Sequence, residues 1–231
     1  MKTIGFVGAY DKTDLIIYIA KIITSLNKKV LIVDSTITQK ARYTVPVINP
    51  TINYITEFEQ IDVAVGFNNF LDIKQYIGAN DAIPLEYDYA LVDIDSIDNV
   101  ERFQIQNNEI NFFVTAFDMY SLKRGIEILS EVKEPIELTK ILFSKEMLKE
   151  EDEYLEYLAL GTKIVWGEHK ICFPLEIGDQ SVIVENQIVS RIKLRNLSEQ
   201  YKGSLAYITE LITGESESTI RKVIKNIEKE G

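Results

Sequence analysis

Continuous apolar runs, rather than alternating ones, mark the strands of this chain. Five stand out: 3–7 (TIGFV), 29–34 (KVLIVD), 89–95 (YALVDID), 110–116 (INFFVTA) and 139–144 (TKILFS). A run apolar on both faces suits a parallel sheet covered by helices on each side. Between the runs the hydrophobic spacing becomes helical. Leu15, Ile16, Ile19, Ile22, Ile23 and Leu26 predict a helix over 14–26. Met119, Leu122, Ile126, Leu129 and Val132 predict another over 119–132, with Lys123 and Arg124 on its polar side. Such alternation predicts an α/β fold, a doubly wound and mostly parallel sheet flanked by helices.

The later chain continues the pattern less regularly. Segment 150–161 (EEDEYLEYLALG) starts acidic and ends in Gly161, as a helix does. TKIVW and KICFPL read as a short strand pair or one late strand, with His169 in the polar GEHK between them as a surface turn residue. A long helix is expected over 204–214. A polar joint (ESES) and an amphipathic helix follow, so the expected organisation is one domain over 1–214 and a tail over 215–231. The aromatic residues of 52–70 (INYITEFEQIDVAVGFNNF) are expected to fill a core.

Composition narrows the function classes. A net charge of -11 argues against a general nucleic-acid binder, which needs a basic face. The single cysteine, Cys172, excludes an intramolecular disulfide and a thiolate-rich metal site, and it reads as a small buried hydrophobe. The first residues lack a signal-peptide pattern and no stretch reaches the ~18 apolar residues of a spanning helix, so a cytoplasmic protein is expected.

The candidate chemistry lies in VGAYDKTD (7–14), between the first strand and the first helix. A phosphate-binding loop aims successive backbone N–H groups at phosphate oxygens, with a lysine for charge and Ser or Thr for magnesium. Lys12 and Thr13 suit that plan. Asp11 stands where a glycine is needed, and two readings of it are open. Its carboxylate lies where it would repel phosphate, or it pairs with Lys12 or caps the helix beginning near Thr13. Asp93 and Asp95 either hold magnesium through water or end a strand and begin the turn DSIDN.

The order of these pieces resembles the MinD/ParA family of P-loop ATPases, whose deviant loop reads KGGxGK[ST]. Lys12 and Thr13 match its Lys-Thr pair, and Gly8 its first glycine. Ala9 and Asp11 replace the second and third glycines, and Val7 replaces the signature lysine that reaches a partner's nucleotide. NKKVLIVD resembles the second strand, and EYDYALVDID resembles the Walker B strand with Asp93 on its aspartate. FFVTAFDMYSLKRGIEILSEV and ICFPLEIGDQSVIVENQ resemble later stretches, so the similarity spreads over 1–212. It implies ATP and Mg²⁺ as cofactors. Gly8, Ala9, Asp11, Lys12 and Thr13 would form the nucleotide loop, and Thr13 and Asp93 would hold the metal.

The departures imply a reduced site. Thr36 stands where a second switch I aspartate belongs, Ser144 where an adenine-reading asparagine belongs, and Pro174-Leu175-Glu176 replaces the Pro-Tyr-Asp turn. The chain therefore resembles a degenerate member, akin to the TadZ/CpaE pilus-assembly localisation proteins. That likeness implies weak or absent hydrolysis and a homodimeric scaffold for a pilus, secretion or conjugation machine, acting through protein partners. The competing expectation is an active positioning or partition ATPase, with Lys12, Thr13, Asp34 and Asp93 carrying the chemistry. A DNA-binding partition role suits the acidic chain least. A tyrosine-kinase-like domain would need a C-terminal tyrosine cluster, which IEKEG lacks. In the tail, Ile220, Val223, Ile224 and Ile227 share a face beside Arg221, Lys222 and Lys225. This could contact a membrane surface peripherally through 218–229, or pack on its own domain or a partner.

Overall fold

The computed structural model describes residues 1–48, 50–78, 84–144 and 149–230. Gly231, the end of the predicted tail, lies outside the described residues. An eight-stranded sheet runs through the molecule: β1 (Lys2–Val7), β2 (Val30–Asp34), β3 (Tyr54–Phe58), β4 (Ile61–Val65), β5 (Tyr89–Ile94), β6 (Asn111–Ala116), β7 (Ile136–Phe143) and β8 (Ile164–Phe173). Their spatial order is β3-β4-β2-β5-β1-β6-β7-β8, and every pairing is parallel except β3 with β4. The doubly wound sheet is as expected. All five apolar runs are strands, and four of them are central.

Helices cover both faces: α1 (Thr13–Thr24), α2 (Ala41–Thr44), α3 (Phe70–Tyr76), α4 (Ile97–Arg102), α5 (Met119–Ser130), α6 (Lys149–Leu158), α7 (Ile177–Val189), α8 (Glu199–Thr213) and α9 (Glu217–Glu230). Two cores result. One packs α1, α8 and α9 against Ile4, Phe6, Ile32 and Phe112, and the other packs α5 against Val7, Val33, Val92 and Phe113.

Several expectations shift. TKIVW and GEHK belong to one strand, β8, which pairs along β7 with an irregularity near Leu138, so His169 is exposed on a strand and not in a turn. Its ring meets Tyr207 edge-on, centroids 5.9 Å apart. Cys172 is half-buried rather than buried. The helix read over 204–214 starts at Glu199, because Ser198 Oγ accepts from Tyr201 N at 3.1 Å, and ends at Gly214 in the left-handed region. Segment 52–70 contributes Tyr54, Ile61, Val63, Val65 and Phe67 to the cores, but as a hairpin at the sheet edge.

The tail turns its apolar stripe inward. Ile220, Ile224 and Ile227 are buried among α1 and α8, and Lys202 holds Glu228 at 2.7 Å. No helix among the described residues is long and apolar enough to cross a membrane.

Candidate functional site

β1, β2 and β5 end side by side, where the strand order reverses direction about β1. In open parallel sheets such carboxyl ends form the binding crevice. Here they frame a cavity of about 410 Å³ lined by the 8–13 loop, Thr36–Thr38, Lys40, Tyr43, Asp93, Asp95, Tyr120 and Arg124.

The loop leaves β1 through Gly8, at φ 146°. A Cβ there would lie 2.2 Å from the Val114 carbonyl oxygen, so only glycine fits. Gly8 N donates to Ile94 O at 3.0 Å. The next N–H groups, of Ala9, Tyr10, Asp11 and Lys12, find no acceptor among the described residues. They form a row of donors ahead of α1, the arrangement that suits an anion. Tyr10 fills the middle of the loop against the Phe143 ring, centroids 4.8 Å apart.

Asp11, one residue before the N-cap position of α1, takes the first helical N–H. Its Oδ1 accepts from Thr13 N at 3.1 Å, while Oδ2 takes Lys40 Nζ. The expected pairing of Asp11 with Lys12 does not form. Lys40 also reaches Asp14 Oδ2 at 2.9 Å, and Gln187 Nε2 donates to both Asp14 oxygens at 2.8 and 3.0 Å. A polar chain thus runs from α7 through α1 to the loop. Lys40 stays protonated more firmly than usual, because Asp14 and Asp11 outweigh the burial that opposes its charge.

Lys12 turns inward. Its Nζ donates to Gly8 O at 2.9 Å and lies 2.6 Å from Asp93 Oδ1, with the residues 3% and 2% exposed. Lys12 is thus the charge partner of that carboxylate. Burial pushes Asp93 up to about 7, with nearby Asp34 adding and Lys12 opposing. Thr13, buried, also lines the cavity.

Asp34 faces its own turn. Its Oδ1 accepts from Thr36 N at 3.1 Å and Thr36 Oγ1 at 2.6 Å, and Oδ2 from Ala41 N at 2.9 Å. It lies beside Asp93 in the sheet register but does not line the cavity. Asp95, raised by burial, accepts from Ile37 N at 3.0 and 3.1 Å through its two oxygens. Carboxylates therefore set segment 35–41 in place. Val7 is fully buried between β5 and β6, so position 7 cannot present a side chain outward.

The structure brings Gly8, Ala9, Asp11, Lys12, Thr13, Thr36 and Asp93 together, and leaves Asp34, Ser144 and Pro174–Glu176 outside the lining. Lys40, Tyr43 and Tyr120 join the site without having been singled out. The lining's charged groups are Asp11, Asp93 and Asp95 against Lys12, Lys40 and Arg124, which balance.

No protein-family model matches the chain, and no curated protein matches it. Solved structures do. A chain of the MinC:MinD cell division protein complex of Aquifex aeolicus matches with a TM-score of 0.58 and 14% identity, covering 94% of this chain and 97% of that one. A ParA family ATPase from Chlorobium tepidum matches at 0.54 and 16%, covering 99% and 96%. The fold is that of the ParA and MinD ATPases. A Borrelia burgdorferi plasmid partition protein bound to AMPPNP also shares this ParA/MinD fold, at 0.53 and 12%, covering 97% and 98%.

Proposed function

We propose that this chain is a degenerate ParA/MinD-fold protein with weak or absent ATP hydrolysis. In this reading it serves as a dimeric scaffold or localisation factor for a pilus, secretion or conjugation machine, acting through protein partners. One observation carries the loss of chemistry: the Asp11 carboxylate sits on the phosphate loop, capping Thr13 N and held by Lys40. Two like charges ~4 Å apart repel by roughly 4 kcal/mol at an effective dielectric of 20. The cavity's lining carries as many acidic residues as basic ones, and Lys40 is already engaged by Asp11 and Asp14. In this reading the loop disfavours a magnesium-bound triphosphate. Asp34, closed into its own turn, and buried Val7 support the same reading. The assignment to a pilus, secretion or conjugation machine rests on the resemblance of these departures to the TadZ/CpaE proteins.

A second reading, an active positioning ATPase, draws on the unpaired N–H row of residues 9–12 beside Lys12, Thr13 and Asp93. Calorimetry with ATP and Mg²⁺, run beside a hydrolysis assay, separates the two. The expected result is no turnover, with nucleotide binding weak or absent. Micromolar binding that vanishes in Lys12→Ala, accompanied by turnover, would overturn the degenerate reading.

A further inference from the structure

Helix α7 buries two polar side chains beside Val182 while exposing several apolar ones. Its inward face holds two buried polar side chains. Asp179 accepts from Ser198 N at 2.6 Å and Ser198 Oγ at 2.8 Å, and Asn186 donates to Tyr18 Oη at 2.7 Å and to Lys193 O at 2.8 Å. Its outward face holds Ile177, Val184 and Ile188, which are 83%, 53% and 78% exposed. A helix on a monomer's surface ordinarily shows the reverse.

With exposed Ser181, the outward positions 177, 181, 184 and 188 are spaced four, three and four residues apart. That is the seam spacing of paired helices, and it reads the same in both directions. Laid antiparallel across a two-fold axis, one register sets Ile177 against Ile188 of the second copy and Ser181 against Val184. The small serine allows close approach at the centre. Charge agrees with this register. Glu176, just before the helix, meets Arg191 of the second copy, just after it, and the symmetry makes this contact twice. Arg191's side chain is 70% exposed, and its ion pair with Glu59 is long, at 3.9 Å. Glu185, the exposed charge within α7, lies opposite Gly178, where it meets no like charge.

We propose that α7 is the contact through which two copies of this chain pair, antiparallel about a two-fold axis and without nucleotide. The occupant is a second copy because both the apolar spacing and the end charges are self-complementary in a single register. One helix pair falls short of the roughly 800 Å² per partner of a standard interface, so the dimer dissociates on dilution.

Sedimentation velocity without nucleotide, across roughly 1 to 200 µM, tests it. The wild-type chain is expected to pass from monomer to dimer, and Ile188→Glu to stay monomeric while melting at the wild-type temperature. Glu176→Arg and Arg191→Glu are each expected to weaken the dimer about tenfold, and the double exchange to restore it. Glu176 makes no side-chain cap to α7, so the exchange leaves the helix start intact. A wild-type monomer throughout, a dimer indifferent to Ile188→Glu, a dimer that requires ATP, or a double exchange no better than the singles would each overturn the pairing. None of these results bears on hydrolysis, which the calorimetry tests separately.

Discussion

Lys12 Nζ and Asp93 Oδ1 lie 2.6 Å apart in a place almost closed to solvent, which makes each the other's charge partner in the bare pocket. Removing one side of a buried pair costs about 3–5 kcal/mol, while removing both costs much less than the sum. Urea unfolding of Lys12→Met, Asp93→Asn and the double variant, above pH about 7 where Asp93 is ionised, should show this coupling. Additive losses would mean the pair contributes nothing as a unit.

The same pair carries a pH signature. Asp93, pushed up to about 7, keeps a proton in the folded chain that the unfolded chain releases near 3.8. Its contribution to stability is therefore fullest below the unfolded value. It declines as pH rises from about 4 to about 7, by at most ~1.4 kcal/mol per unit, and is level above that. The stability difference between wild type and Asp93→Asn, followed by urea titration across this range, should trace that decline. A difference independent of pH would contradict it.

Asp11→Gly removes the carboxylate from the loop but leaves Val7 in the sheet and Thr36 tied to Asp34. Hydrolysis in a phosphate-release assay is expected to stay at background. Thermal unfolding should show a loss of a few tenths to ~1 kcal/mol from the missing cap. Robust turnover would place the whole defect at position 11.

The α9 stripe should behave as core. Ile224→Ala is expected to cost about 2–4 kcal/mol in denaturant unfolding, as for other buried isoleucines. The folded wild-type chain should not co-sediment with anionic vesicles, since Ile220, Ile224 and Ile227 are already covered. Vesicle binding abolished by Ile224→Ala under conditions where the domain stays folded would reverse this.

Gly8→Ala would set a methyl group against a strand carbonyl at a backbone angle that L-residues rarely adopt. A loss of about 3 kcal/mol or more is expected by chemical denaturation.

The central strands were legible because strands buried on both faces read as near-continuous apolar runs, as β1, β2, β5 and β6 do. The β3–β4 hairpin was not. Its turn puts Glu59 and Gln60 at φ 49° and 71°, positions where Gly or Asn would have announced it. Helix α7 escaped for a different reason: with Asp179 and Asn186 inward, no single apolar stripe points to the core. At the site, Lys12, Thr13 and Asp93 were readable because local order along the chain places them. Lys40 was not, since its separation of 29 positions from Asp11 gives no local sign that the two meet.

Gly8 ends up under the Val114 carbonyl whether or not phosphate ever enters the loop. Sterics alone demand it, so a glycine at that position carries no information about nucleotide. Asp11 is different. No close contact forces the choice of residue there; its carboxylate serves the Thr13 N–H and Lys40, partners that have nothing to do with phosphate.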